Sequence, residues 1–558
     1  FRSNLGLDAR TVQDYEFWSA KTSNRGMGTS YAKNAVDKYT MFTLENMLFY
    51  DKTFNDKHTL GVTLLQSIQE DKRESVNVAM ENLPADNLKY YDLGSGLVTN
   101  TIGSSMIKWN MASFMGRINY NYLGRYLLTV SARYDGSSRL ADGHKWVLFP
   151  SAALAWRINE ESFMSSTSGW LDNLKLRLGF GKTGNSAVDP YQTKGTLSLI
   201  RYPFDNGGTP TIGYAPNAMA NSLLTWETTD QWNLGIDFGV LRGRINGTID
   251  LYMQNTHDLL LKRQLPVVSG FPDVLSNVGK TRNKGIEVSI NSMNINSKDF
   301  QWTTDLMLSS NKEEIVELYN GKNDDIGSKW FIGQPVNVHY DYRKVGIWQN
   351  TESDLAEMAK FAANGTEFAP GDIKIQDVNG DYKITDADKQ ILGNPRPKLI
   401  ASMVNTFNYK GFDLSVFLYA SFGAMLYNDI YAVEHCGRNG GVKVDYWTPN
   451  NPTNAYPRPS IDEERPIYIT STYYEKADFL RVKTMTLGYT LPKTLTNKFL
   501  VEKLRVYFTA QNPFIFTNYT GIDPEAAKVN SAGNPETNGS GFGTPSVSSW
   551  IFGINLTL

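Results

Sequence analysis

The segment Ile245-Asn246-Gly247-Thr248-Ile249-Asp250-Leu251-Tyr252-Met253-Gln254 decides how the rest of the chain is read. In an extended strand, successive side chains point to opposite faces. Ile245, Gly247, Ile249, Leu251 and Met253 then share one face, and Asn246, Thr248, Asp250, Tyr252 and Gln254 share the other. One face is greasy and the other is wet. The alternation also outlasts the ~5–6 residues usual for a soluble strand.

Working outward, the same period recurs. Upstream, a turn at Leu241-Arg242-Gly243 joins this strand to Trp232, Leu234, Ile236 and Phe238, which sit opposite Gln231, Asn233 and Asp237. Leu174, Leu176, Leu178 and Phe180 face away from Lys175 and Arg177. Ala152, Leu154, Trp156 and Ile158 form another series. Tyr126, Leu128, Val130, Ala132 and Tyr134 oppose Thr129, Ser131 and Arg133, and follow a tight turn at Leu123-Gly124-Arg125 from a strand over 112–122. Further strands are expected at Tyr39–Tyr50, Thr59–Glu70, Ile286–Ile290, Phe300–Leu308, Leu399–Tyr409, Phe412–Ala420, Leu480–Leu491, Leu504–Gln511 and Ser549–Leu558. No helical segments are expected between them. Short links at 51–57, 123–125, 239–243, 294–299 and 410–411 alternate with long ones at 15–37, 72–108, 135–151, 183–224, 255–283, 310–397, 421–478 and 516–546, while 159–172 and 492–503 are intermediate. Short turns on one side and long loops on the other are the pattern of a transmembrane antiparallel β-barrel with a lipid-facing exterior and a polar lumen. The fold class expected is therefore all-β, with about 16 strands present and both chain ends on the short-turn, periplasmic side. The competing reading is a large soluble β-protein with irregular loops; strand length argues against it.

Composition agrees. The 558 residues include 30 Tyr, 27 Phe, 12 Trp and 46 Gly, an aromatic and glycine load suited to interfacial girdles and tight turns. Mean hydropathy is −0.37, and no apolar run reaches the ~18–20 residues of a membrane helix. A barrel needs none, because only every second residue meets lipid. A formal net charge of −2 gives no sign of a nucleic-acid partner. Cys436 is the one cysteine, so no intrachain disulfide forms, and closed strand hydrogen bonding must hold the fold. Phe1 to Asp8 already reads as strand, with no signal peptide, so upstream sequence is expected.

Several segments resemble the SusC-like TonB-dependent outer-membrane transporters (the SusC/RagA family of Bacteroidota). They are Arg117-Ile118-Asn119-Tyr120, Asp135-Gly136-Ser137-Ser138-Arg139, Phe149-Pro150-Ser151 and Gly181-Lys182-Thr183-Gly184-Asn185. Further along come Gly393-Asn394-Pro395-Arg396-Pro397, the run from Tyr409 to Phe417, Asp478-Phe479-Leu480-Arg481-Val482-Lys483, Leu487-Gly488-Tyr489-Thr490-Leu491-Pro492, Ala510-Gln511-Asn512-Pro513 and the run from Tyr519 to Glu525. The resemblance covers residues 1–558 and implies a 22-stranded, plugged barrel. The plug, the TonB box and the first strands would then lie outside this chain. It also implies active import of an oligosaccharide or oligopeptide, with a SusD-like surface lipoprotein as lid, TonB acting through the plug, and a dimer of transporter–lipoprotein pairs as one assembly. The chain departs from the pattern at Leu558, where such barrels usually finish on Phe. A passive porin and, more weakly, a barrel hydrolase are the competing functions.

Within the expected extracellular loop 310–397, residues 377–388 resemble a calcium loop of the dockerin kind. Asp377, Asn379, Asp381 and Asp388 stand at positions 1, 3, 5 and 12, and the Lys383 carbonyl at position 7. Ca²⁺ takes six to eight hard oxygens, which this spacing would curl around one point. Ile384 would anchor the loop from below. Tyr382 replaces the usual glycine of position 6, and Asp388 is shorter than the usual Glu. A metal-free, Asp-rich turn is the plainer reading. Arg117, Arg133, Arg157, Lys175, Arg177, Asp237 and Asp250 are expected on the lumen face, as a solute path or as a wall of paired charges. Loop aromatics Trp330, Phe331, Tyr427, Tyr431, Tyr446, Trp447, Tyr468, Tyr473 and Tyr474 could stack on substrate or pack the loops together. No catalytic residues are expected: the five histidines lie outside any nucleophile motif, and Glu434-His435-Cys436 lacks a third partner.

Overall fold

The computed structural model describes residues 1–25, 28–204, 211–428, 443–460, 465–496, 498, 501–525 and 546–557. Among them, sixteen strands form one sheet whose order follows the chain. They are Arg2–Trp18, Tyr31–Phe54, His58–Glu81, Val98–Tyr122, Tyr126–Ser137, Trp146–Arg157, Leu171–Asn185, Glu227–Val240, Ile245–His257, Lys280–Asn296, Phe300–Glu317, Leu399–Tyr409, Phe412–Phe422, Phe479–Thr490, Lys503–Thr517 and Ser549–Thr557. The expected all-β, antiparallel architecture is the observed one.

Several strands outrun their expected ends. His58–Glu81 pairs with Val98–Tyr122 from His58↔Tyr122 to Glu81↔Val98, so the link 72–108 shrinks to 82–97. Likewise 15–37 shrinks to 19–30, and 135–151 to 138–145. Beyond the bilayer both faces meet water, so a strand can continue on backbone hydrogen bonds without apolar alternation.

The chain divides into two compact units. The first comprises 1–157, 177–233 and 254–280. Its clearest strand is Tyr126–Ser137. Tyr126, Leu128, Val130, Ala132 and Tyr134 are exposed, while Leu127, Thr129, Ser131 and Arg133 are half-covered. A water-soluble sheet would show the reverse, because exposing apolar area to water costs about 25 cal/mol per Å². On the covered face, Thr129 donates to Asn119 at 2.9 Å and Ser131 lies 2.7 Å from Ser151. The polar side chains satisfy one another and the apolar ones meet lipid. Above the strands, Leu140, Phe149, Val188, Leu224 and Trp226 bury one another, fastening the segments between strands into a small core.

The second unit comprises 158–176, 234–253 and 281–558. Tyr409 and Phe412 face each other across a two-residue turn, Lys410-Gly411, with φ of 46° and 90°. Positive φ at both central residues matches the right-handed twist of the flanking strands. A Cβ on Gly411 would lie 2.9 Å from the Thr490 carbonyl oxygen, so glycine is required there.

This unit's long links are themselves folded. The helix-free expectation is broken by the single turn Lys493–Thr496 and by the longer helix Glu352–Ala363. Thr351 caps it by accepting from the Asp354 N–H at 3.2 Å, and Glu352 and Asp354 place negative charge on its first turn. Gly365, at φ 88°, follows the helix end. Met358 and Phe361 bury against Trp348, and Ile347, Ile373, Ile375, Trp447, Ile469 and Tyr473 form a neighbouring core.

Candidate functional site

Paired charges on the polar strand faces, the loop 377–388, the loop aromatics and one buried ion-pair cluster are the candidate features. On the first unit's polar face, Arg133 reaches Asp135 at 2.7 Å and Ser113 at 2.9 Å. Asp230 contacts His257 at 2.9 Å and Lys182 at 3.4 Å. In the second unit, Lys175 lies 3.4 Å from Asp237. Arg133, Lys175 and Asp237 therefore belong to paired walls. Arg157 donates to the Gly124 carbonyl at 3.4 Å and closes a turn.

The loop 377–388 is tightly self-bonded. Asp377 accepts from the N–H groups of Gly380 at 2.7 Å and Tyr382 at 2.8 Å. Asn379 accepts from Asp381 N–H at 3.1 Å, and Asp381 from Lys383 N–H at 2.8 Å. Asp388 is fully buried, accepting from Val378 N–H at 2.9 Å and Thr385 N–H at 2.8 Å. Gly380 and Tyr382 have φ of 75° and 55°. Tyr382 thus adopts the left-handed backbone for which glycine is preferred, and its ring packs edge-on against Phe361 at 5.5 Å. Ile384 packs beneath the loop against both neighbouring cores. Among the described residues, no three His, Cys, Asp or Glu side chains are grouped as a metal site would group them. The donors have the right type and order for Ca²⁺, and their present hydrogen bonds run to the loop's own amides.

Most of the loop aromatics serve packing. Phe331 is buried beside Tyr340, and Trp447 and Tyr473 are buried in a core onto which Tyr427 and Tyr468 pack. The Trp447 Nε1–H donates to Gln349 at 2.8 Å. Tyr474 donates to Asp341 at 3.1 Å. Tyr446 stays 44% exposed. Tyr431 and Glu434-His435-Cys436 lie outside the described residues.

Arg481 and Asp523, 42 positions apart in the chain, meet in the fold. Both side chains are 4% exposed, and Arg481 Nη2 lies 2.5 Å from Asp523 Oδ1. Arg481 Nε lies 3.0 Å from Glu525 but off the hydrogen-bond line, so that contact is electrostatic. Lys483 also pairs with Glu525. The cluster ties strand Phe479–Thr490 to the segment after Lys503–Thr517. An Arg on a strand and an acid in a distant loop give no pairwise signal in one sequence.

Long strands with an apolar exposed face and a self-bonded polar face define an outer-membrane β-barrel. The chain belongs to the family described as TonB dependent receptor-like, beta-barrel, which matches residues 1–512. TonB-dependent receptor P3 of Formosa agariphila is 31% identical over 576 aligned residues, covering 100% of this chain and 56% of that protein. TonB-dependent receptor SusC of Bacteroides thetaiotaomicron is 35% identical over 434, covering 74% of this chain and 41% of that protein. The solved RagAB peptide transporter has the same fold, with a TM-score of 0.81 at 22% identity over 99% of this chain and 59% of that one. This chain thus spans about half the length of the curated relatives it matches. These relatives are TonB-dependent receptors rather than enzymes, and the chain is an outer-membrane β-barrel protein.

Proposed function

We propose that this chain is the barrel of an active importer that carries a large nutrient, an oligosaccharide or an oligopeptide, across the outer membrane. The family match over 1–512 is the observation that carries the reading. Energy would come from TonB acting on a plug, and a SusD-like lipoprotein would close over the extracellular mouth. The folded loops of the second unit, with their own apolar cores, support a surface built to hold shape outside the membrane. Cells expressing the full-length protein should accumulate labelled oligomers only when TonB is present and the proton-motive force intact. Uptake unchanged by deleting TonB would replace the importer with a passive porin.

We further propose that Asp377, Asn379, Asp381, Asp388 and the Lys383 carbonyl hold a structural Ca²⁺. The spacing of these oxygens supports it, as do the left-handed backbones at Gly380 and Tyr382. A carboxylate offers about four acceptor positions, so the amide bonds leave lone pairs for a cation. Hydrogen exchange across 372–390 should quicken on adding EDTA and recover with Ca²⁺. Identical protection in both conditions would remove calcium from the account.

A further inference from the structure

The second unit holds a cavity of about 510 Å³ that no feature above uses. Its size falls within the ~300–1,000 Å³ of small-ligand pockets. Lys344, Lys443, Asp445, Tyr456, Tyr474 and Glu475 line it, with Ser471 and Thr472. Lys344 opens the short strand Lys344–Ile347, and the pairing with Ile373–Ile375 shifts register between Lys344 and Gly346. Such a bulge re-aims the side chain beside it.

Lys344 is the unusual group. Its Nζ donates to the Ala455 carbonyl at 2.8 Å, and none of the described carboxylates lies within ion-pair distance of it. An ammonium carries three N–H donors, so two remain to be placed. Desolvation alone pushes its pKa down to about 8. The two acids in the same cavity are occupied elsewhere. Asp445 accepts from Asn451 at 2.9 Å and Thr453 at 2.7 Å. Glu475 accepts from Thr520 N–H and from Asn428, both at 2.9 Å.

The remaining lining shows what kind of ligand would sit there. Ser471 and Thr472 spend their hydroxyl protons on the carbonyls of Tyr468 and Ile469, at 2.7 and 2.6 Å. Their oxygens are left as acceptors. Tyr474 spends its proton on Asp341. Tyr456 and Tyr474 supply aromatic wall. A ligand matching this lining brings one negative charge to Lys344, donors for the hydroxyl oxygens, and a body that can lie on an aromatic ring.

We propose that this cavity binds a carboxylate of the imported molecule, with Lys344 as its counter-ion. The assignment rests on the import reading for the ligand's source, but the binding itself can be tested separately. An acidic peptide and a uronic-acid oligosaccharide both present the required chemistry: a carboxylate flanked by N–H or O–H donors.

The test uses the full-length protein in detergent near pH 8, where a lysine of this kind is reactive toward an acylating reagent. Acylation of Lys344 is followed by mass spectrometry with triglutamate, trigalacturonate, triglutamine or maltotriose present. An acidic trimer should slow it about tenfold, with little effect from the neutral ones. Protection by triglutamate alone assigns an acidic peptide, and by trigalacturonate alone a uronic-acid glycan. Protection by both means the carboxylate itself is read. Equal rates with acidic and neutral trimers would overturn the proposal. Lys344→Met should weaken binding of the protecting trimer about tenfold or more, while Lys344→Arg keeps most of it. If Lys344→Met misfolds, the labelling of the unaltered protein still decides. TonB-independent uptake with Lys344 still protected would count against the import reading alone. TonB-dependent uptake with no protection would remove the cavity and leave the importer.

Discussion

Replacing Asp523 by Asn removes the closest counter-charge from a buried arginine. Removing one partner of a buried ion pair usually costs ~3–5 kcal/mol, because the survivor is left charged and desolvated. Here Glu525 remains 3.0 Å from Arg481 Nε and moderates the loss. Asp523 also accepts from the N–H groups of Glu525 at 2.9 Å and Ser546 at 3.0 Å, and Asn keeps one carbonyl oxygen for both. We therefore expect about 3 kcal/mol, felt as local release of the segment around 519–525 rather than as barrel unfolding. At 1.4 kcal/mol per factor of ten, backbone hydrogen exchange there should quicken on the order of 100-fold, with strand Phe479–Thr490 unchanged. The wild-type contribution should also have a defined pH range. Burial pushes the Asp523 carboxyl upward, but the two amide donors and Arg481 outweigh it and hold its pKa below the usual value. A depressed carboxylate stabilises above its unfolded pKa of about 3.9 and loses that contribution as pH falls through the lower folded value. Protection should thus be flat from neutral pH down to about 4. Exchange in Asp523→Asn within threefold of wild type, or an Arg481→Met, Asp523→Leu double variant no better than either single change, would refute the reasoning.

Two further outcomes follow from the packing. Trp348→Ala should cost ~3–5 kcal/mol of loop stability, opening the segment around Trp348, Phe361 and Phe368 to protease while the sheet keeps its heat-modifiable gel mobility; a protease-resistant loop would count against an independent loop core. Leu234→Lys should cost ~2–4 kcal/mol in vesicle-folding titrations, whereas Asn233→Lys on the opposite face should cost little; equal penalties would contradict the assignment of faces.

The strands were legible because a lipid-facing exterior writes a period of two into every one of them. Ile245–His257 and Tyr126–Ser137 could be read almost to their ends. Strand ends beyond the bilayer were not legible, since Lys72, Arg73 and Glu74 break the apolar alternation and are held there by backbone pairing and by side-chain ion pairs such as Arg73 with Asp37 and Lys72 with Glu74. The helix Glu352–Ala363 had a readable start in Thr351 and Asp354 but was hidden inside a loop assignment. The roles of Trp447 and Tyr473 depend on contacts with residues about a hundred positions away, among them Ile347 and Ile373. Charge pairs such as Lys175 with Asp237 depend on strand neighbours that a single sequence does not reveal.

In a membrane barrel, one strand face meets lipid and the other does not. Spin labels placed singly at residues 127 to 134, with Cys436 replaced by Ser, test it in vesicles of the full-length protein. Collision with oxygen should peak at Leu128, Val130, Ala132 and Tyr134, and collision with a water-soluble nickel reagent at Leu127, Thr129, Ser131 and Arg133. A profile without that two-residue period, or with its phase reversed, would contradict the membrane-barrel account.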